Sequence, residues 1–224
     1  MDRIRVKYTK GRDVRYISHL DLMRALERAL RRAEIPFALT EGFNPKPKMN
    51  FSPPLSLGYV SCAEYFDVDF TTDMPPETFI SKMNDVFPVG IGITEAVKID
   101  RASKSLNSII NGARYVIRYP FGSDIADRAG EFLNNEIIIE KKSKRGVKTV
   151  DIKPLIYDFS VKGEDTIETW LPAGSTESIN PMYVLKAYLD FAGGEFREEG
   201  AFITRTEQYI DRDGNTPMQA GVCA

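Results

Sequence analysis

The stretch from Val60 to Phe70 constrains this chain more than any other. It reads Val-Ser-Cys-Ala-Glu-Tyr-Phe-Asp-Val-Asp-Phe, and its alternation predicts a strand. Cys62, Phe66, Val68 and Phe70 share one face, and Glu64 lies on that face with them. A carboxylate among apolar side chains needs a cationic partner, and Arg15 or Arg24 is the expected one. A strand so apolar on one side also requires a helical cover.

The flanking segments supply it. Ser18 is a good N-cap, with Asp21 placed three residues on to answer its backbone N–H. Leu22, Met23, Leu26, Ala29, Leu30 and Ala33 then form an apolar stripe at helical spacing. Arg24, Arg28, Arg31 and Arg32 take the opposite face, and Pro36 stops the helix. Before it, Ile4, Val6 and Tyr8 alternate with Arg3, Arg5 and Lys7, which predicts a strand with a basic outer face. Pro75-Pro76 opens a second helix through Phe79, Ile80 and Met83, and Ile91 to Ile99 is a further strand.

The same order recurs after a polar segment. Arg114 to Tyr119 is a strand, Ser123 caps a helix, and four short strands fall between Glu136 and Leu171. Asn180-Pro181 starts the next helix, Gly193-Gly194 ends it, and Ala201 to Tyr209 closes the series. Strand, helix, strands, helix, strand, given twice, predicts an α+β chain of two ferredoxin-like (split βαβ) domains side by side. Their expected bounds are 1–100 and 112–210, with 101–111 a linker and 211–224 a loosely docked tail.

Charge is distributed unevenly. Residues 1–50 carry twelve Lys/Arg against six Asp/Glu, and residues 51–100 reverse this with two against eight. A basic segment on a chain of net charge −2 predicts a directed patch for an anionic partner. No run approaches 18 apolar residues, so no membrane partner is expected. Two cysteines, Cys62 and Cys223, and an opening without an apolar signal core favour the cytoplasm. Phosphate-binding Gly-rich loops and the Gly-x-Ser-x-Gly elbow are absent from the sequence, and two Cys with one His cannot complete a zinc or iron–sulfur site. No metal or cofactor is expected in this chain.

The candidate residues therefore point to binding. The arginine face, Arg24, Arg28 and Arg31, has the spacing to track phosphates. The loop Gly42-Phe43-Asn44-Pro45-Lys46-Pro47-Lys48 is stiffened by its prolines and offers Phe43 for stacking, Asn44, and Lys46 and Lys48 for phosphates. A second basic hairpin holds Lys141, Lys142, Lys144, Arg145 and Lys148. His19 alone can transfer protons near neutral pH, and as a lone histidine at a helix start it is expected to be structural.

Tyr16-Ile17-Ser18-His19-Leu20-Asp21-Leu22-Met23-Arg24, the arginine helix, the 42–48 loop and Pro54-Leu55-Ser56-Leu57-Gly58 resemble the radical SAM-linked domain of unknown function. Lys144-Arg145-Gly146 and Val150-Asp151-Ile152-Lys153-Pro154 are similar to its second motif. The resemblance covers most of the chain and implies motif residues at His19, Asp21, Arg24, Gly42, Asn44, Pro45, Lys48, Gly58 and Glu64. It also implies a partner, because the family is encoded beside, or fused to, a cobalamin-binding radical SAM protein. Lys46 stands where the family commonly has histidine. A looser likeness, at fold level, is to the CRISPR repeat-processing endoribonucleases, whose C-terminal glycine-rich loop is missing here. The resulting expectation is a non-catalytic partner of a radical SAM enzyme that binds RNA or presents an RNA- or translation-related substrate. The alternatives are a metal-independent endoribonuclease using His19 and a protein-binding adaptor.

Overall fold

Val60–Asp69 forms β3, the strand around which the N-terminal half is laid. β1 (Arg3–Lys10) pairs antiparallel with β3 on one edge and with β4 (Ile91–Ile99) on the other, and β2 (Met49–Phe51) pairs antiparallel with the far edge of β3. The structure is a computed structural model that describes residues 2–143 and 146–222. Helices α1 (His19–Arg32) and α2 (Pro76–Asn84) connect these strands. α1 begins as its residues dictate, with Ser18 Oγ accepting from the Asp21 N–H at 3.2 Å and donating to Asp21 Oδ2 at 2.8 Å. Pro75 precedes α2, and Pro76 takes the first helical position.

The short helix α3 (Leu106–Ile109) leads into the second half. There β5 (Gly112–Arg118) lies between β9 (Thr166–Pro172) and β10 (Phe202–Tyr209), and β8 (Asp158–Lys162) flanks β9. The helix expected after Ser123 breaks into α4 (Ser123–Ala126) and α5 (Ala129–Phe132). Ser123 is the first helical residue rather than the cap, and Arg128 N–H turns back to Ile125, three residues away, so the helical ladder is not continued. β6 (Ile138–Ser143) and β7 (Gly146–Asp151) form a separate two-stranded hairpin. α6 (Pro181–Ala192) is capped by Asn180 Oδ1, which accepts from Met182 N–H at 2.9 Å, and it ends at the left-handed Gly193.

The molecule is thus a mixed α+β protein dominated by one eight-stranded sheet, in the order β4-β1-β3-β10-β5-β9-β8 with β2 on β3. The halves meet where β10 runs parallel to β3, over only two backbone pairs, Thr204 with Val60 and Arg205 with Ser61. Side chains carry the rest of the junction. Tyr59 Oη donates to Asn180 Oδ1 at 2.6 Å, Gln208 Nε2 to the Ala63 carbonyl at 2.7 Å, and Lys7 Nζ meets Glu207 at 2.7 Å.

On one face of the sheet the helices enclose two apolar cores. Leu26, Leu30, Phe66, Phe70 and Phe79 fill the first, and Ile117, Phe132, Ile167, Tyr188 and Ile203 the second. Full burial of such a side chain is worth about 1.5–3 kcal/mol.

The opposite face of the N-terminal half corrects three expectations. Arg3 and Arg5 do not make a basic outer surface. Arg3 pairs with Asp69 at 2.5 Å and Arg5 with Asp67 at 2.7 Å, each across the β1–β3 ladder. Segment 101–111 is no extended linker, since Leu106 and Ile110 pack with Ala63, Tyr65 and Met218 as a third core on that face. The tail is firmly docked as well. Arg5 Nη1 donates to the carbonyls of Pro217 at 3.0 Å and Ala220 at 3.1 Å. This second layer is why β3 is buried on both faces from Ala63 to Asp69, including Asp67 and Asp69, whereas Cys62, expected on the apolar face, is exposed. No helix among the described residues is long and apolar enough to cross a membrane.

Candidate nucleic-acid interface

α1 buries Leu22, Leu26, Ala29 and Leu30 against the sheet, and this orientation forces its arginines outward. Arg24, Arg28 and Arg31 are exposed on one surface. Arg24 is held by Asp21 at 3.1 Å across one turn, an exposed pair of small energetic value. The guanidinium of Arg31 lies 5.4 Å over the ring of Phe37, in the short segment that leads to the 42–48 loop. Arg32 instead donates to the Val86 carbonyl at 2.8 Å.

The loop is closed at its base. Thr40 N–H donates to the Lys46 carbonyl at 2.8 Å, Lys46 N–H to Thr40 Oγ1 at 3.0 Å, and Lys48 N–H to the Ala38 carbonyl at 2.8 Å. Gly42, Phe43, Asn44, Pro45 and Lys46 stand out from this clasp, and Phe43 is fully exposed. Lys48 does not join the arginine face. It lines a depression of about 220 Å³ with Arg3, Asn50, Asp67 and Asp69, on the side of the sheet away from α1. Alternation decides this, because Lys48 precedes the pair Met49–Val68, whose side chains meet the helices.

Glu64 is buried as expected, but neither Arg15 nor Arg24 is its partner. Arg205 of β10 grips it, with Nε donating to Oε1 at 2.8 Å and Nη2 to both carboxylate oxygens at 2.6 Å. Nη2 of Arg205 also reaches the Pro53 carbonyl at 3.2 Å. The sequence held a signal for this pair. On the closing strand Arg205 shares the inward face with Ile203, the same anomaly that Glu64 shows beside Phe66.

His19, the first residue of α1, is half-buried with its ring edge-on to Phe51, at 5.7 Å and 86°. Burial holds its pKa below the usual 6.5, Glu64 opposes this, and the nearby charges of Lys10 and Arg205 add to it. Lys10 is itself buried and lowered by burial, and its ammonium is tied to the carbonyls of Arg15 at 3.3 Å and Ile17 at 3.2 Å. The sign of the pH effect follows. The folded state prefers neutral His19, so the unfolded chain binds the proton first as pH falls. Stability should be level above about pH 6.5 and decline below it. His19→Gln should flatten that part of the acid limb, read as the denaturant midpoint between about pH 7.5 and about pH 5.5.

Sequence reasoning also missed an arginine–aromatic cluster at the junction. Arg12 lies 4.5 Å over the Phe202 ring, and Arg15 lies 4.6 Å over Tyr16. Gly58 at φ +85° donates its N–H to the Arg15 carbonyl at 3.0 Å and packs against Tyr16. Its role is thereby structural, since a side chain there would be strained. On the β6–β7 hairpin, Lys141 and Lys148 are both exposed and directly opposed across the ladder, a costly like-charge pairing. Lys144 and Arg145 lie outside the described residues. Among the described residues no group of three or more His, Cys, Asp or Glu could hold a metal ion.

Fold and surface together define a mixed α+β protein, helical on one face of a single large sheet, with an arginine-faced helix and a projecting aromatic loop. The chain belongs to the family described as "Uncharacterized protein conserved in bacteria (DUF2344)", whose family model matches residues 3–181. No curated protein matches it. Among solved structures it is similar to a chain of a Cbf5-Nop10-Gar1 complex, at 12% identity and a TM-score of 0.48, over 95% of this chain and 50% of that one. A second likeness is to an archaeal box H/ACA sRNP Nop10-Cbf5 complex, at 12% identity and a TM-score of 0.42, over 91% and 46%. The chain spans about half the length of these solved chains. Likenesses this loose add nothing to the reading of the site.

Proposed function

We propose that this protein is a non-catalytic RNA-binding partner of a radical SAM enzyme. The observation that carries the RNA reading is the outward row of Arg24, Arg28 and Arg31 on α1, linked through the Arg31–Phe37 contact to a clasped loop that holds Phe43 in water. Guanidinium groups at helical spacing meet successive phosphates, and an exposed ring accepts a base. The opposed Lys141 and Lys148 offer a second basic surface on the β6–β7 hairpin. The enzyme partner rests on the sequence motifs alone. Its iron–sulfur cluster, S-adenosylmethionine and cobalamin would all belong to that partner.

We also read each half as a ferredoxin-like unit. In support, each half orders its strands fourth, first, third, second, as β4-β1-β3-β2 and as β10-β5-β9-β8, with helices on one face. The β6–β7 hairpin is then an insertion in the second unit.

Arg28→Ala with Arg31→Ala should weaken binding of all RNA sequences alike. It should also reduce the salt dependence by roughly 0.7 of a log unit per lost contact for a single strand. Unchanged affinity and unchanged salt slope would mean that the row is solvated surface. RNA cleavage in the presence of chelator, abolished by His19→Ala, would replace this reading with the endoribonuclease.

A further inference from the structure

We propose that the open face of the sheet in the C-terminal half is a stacking platform for single-stranded RNA, with Trp170 at its centre. It deepens the RNA reading above and rests on it, but it uses a surface remote in sequence from α1 and its loop.

The two halves treat their outer sheet faces differently. In the N-terminal half that face is roofed by α3 and the tail. In the C-terminal half the corresponding side chains of β5, β8 and β9 alternate with the core and face water. The strand register sets them in rows. Arg114, Trp170 and Asp158 form one row, and Arg118, Thr166 and Lys162 another. The rows are four residues apart, about 13 Å along the strands.

The rings on this face are held in place. A Cβ at position 112 would come within 2.7 Å of Trp170 Nε1, so only glycine lets that edge of the indole lie over β5. Trp170 thereby reaches Tyr209, with ring centroids 4.9 Å apart, and meets Tyr157 edge-on at 6.1 Å. Arg114 lies 5.1 Å over the indole and Arg212 lies 4.0 Å over Tyr157. A solvated sheet face needs none of this, since threonine and charged residues serve it at lower cost. Rings held in place, each beside one guanidinium group, are what unstacked bases bind.

The charges fit a strand crossing the rows. A base on Trp170 would place neighbouring phosphates toward Arg114 in one row and toward Arg118 and Lys162 in the other. Arg114 is only loosely held by Asp158, at 3.8 Å, so a phosphate can replace that carboxylate. Glu168, exposed between the rows, and Asp158, exposed within one of them, are carboxylates on this face that repel phosphate. Duplex RNA keeps its bases stacked on one another and cannot use the indole.

Trp170 is the only tryptophan in the chain, so its own emission reports the site. Titration with a short oligouridylate should quench that emission, and the same oligomer annealed to its complement should not. Trp170→Ala should weaken binding, measured by polarisation of a labelled oligomer, by about tenfold or more. Arg118→Ala with Lys162→Ala touches no core and should weaken it severalfold, while Glu168→Gln should tighten it. Oligomer bound with unchanged Trp170 emission in the parent and with unchanged affinity in Trp170→Ala and in Arg118→Ala with Lys162→Ala would overturn the platform and leave the RNA reading standing. No binding by the unaltered protein would overturn both. Equal quenching by the duplex would overturn the assignment to single strands.

Discussion

Glu64→Gln is expected to lower stability by about 3 kcal/mol. Glu64 and Arg205 are each almost wholly inaccessible to water, at 3% and 2% exposure, and they satisfy one another through three short bonds. Glutamine keeps the size of the side chain but removes the charge, leaving a guanidinium in a dry site with an amide oxygen, the Pro53 carbonyl and the Tyr115 hydroxyl but no counter-charge. The effect should be large because the backbone joins the halves over two residue pairs only. For a chain of this size the melting temperature should fall by roughly 10 °C. Glu64→Leu with Arg205→Met should recover much of the loss, because an apolar pair avoids desolvating two charges. An unchanged melting temperature in Glu64→Gln would show the pair to be hydrated.

The second large effect is expected at Arg5. Its guanidinium is fully buried and has four partners: both oxygens of Asp67, at 2.7 and 2.9 Å, and the carbonyls of Pro217 and Ala220. Asp67→Asn strands that charge and should cost about 3–5 kcal/mol. Arg5→Ala removes the hook on the tail, so limited proteolysis should cut within residues 211–222 much faster than in the parent. If the tail of Arg5→Ala is as resistant as the parent's, the third core around Met218 holds it without Arg5.

What the sequence made legible was local. Ser18 and Asp21 marked the start of α1, Asn180-Pro181 that of α6, and Pro76 that of α2, because capping chemistry acts within one turn. The apolar stripe of α1 set which way Arg24, Arg28 and Arg31 face. Partners in distant segments were not legible. Glu64 and Arg205 are 141 positions apart, Arg5 and Pro217 are 212 apart, and no periodicity encodes such a distance. The same gap hid which side of the sheet Lys48 faces. Its side of the sheet depends on how β2 registers with β3, not on anything within its own loop. Trp170 and Tyr209 looked like ordinary strand residues until the ladder set them side by side.

The hook on Arg5 also orders events in time. Arg5 leaves the ribosome about 10–40 s before the carbonyls of Pro217 and Ala220, at the usual pace of synthesis. Through that interval its guanidinium has only Asp67 and water for company. The helical side of the first half can close as soon as Ile99 has emerged, while the other side has only α3 over Tyr65 and, without the tail, leaves the arginine ladder bare. A nascent chain halted before Pro217 would be finished in front and open at the back, and it is that unfinished back which a chaperone or a protease would meet first.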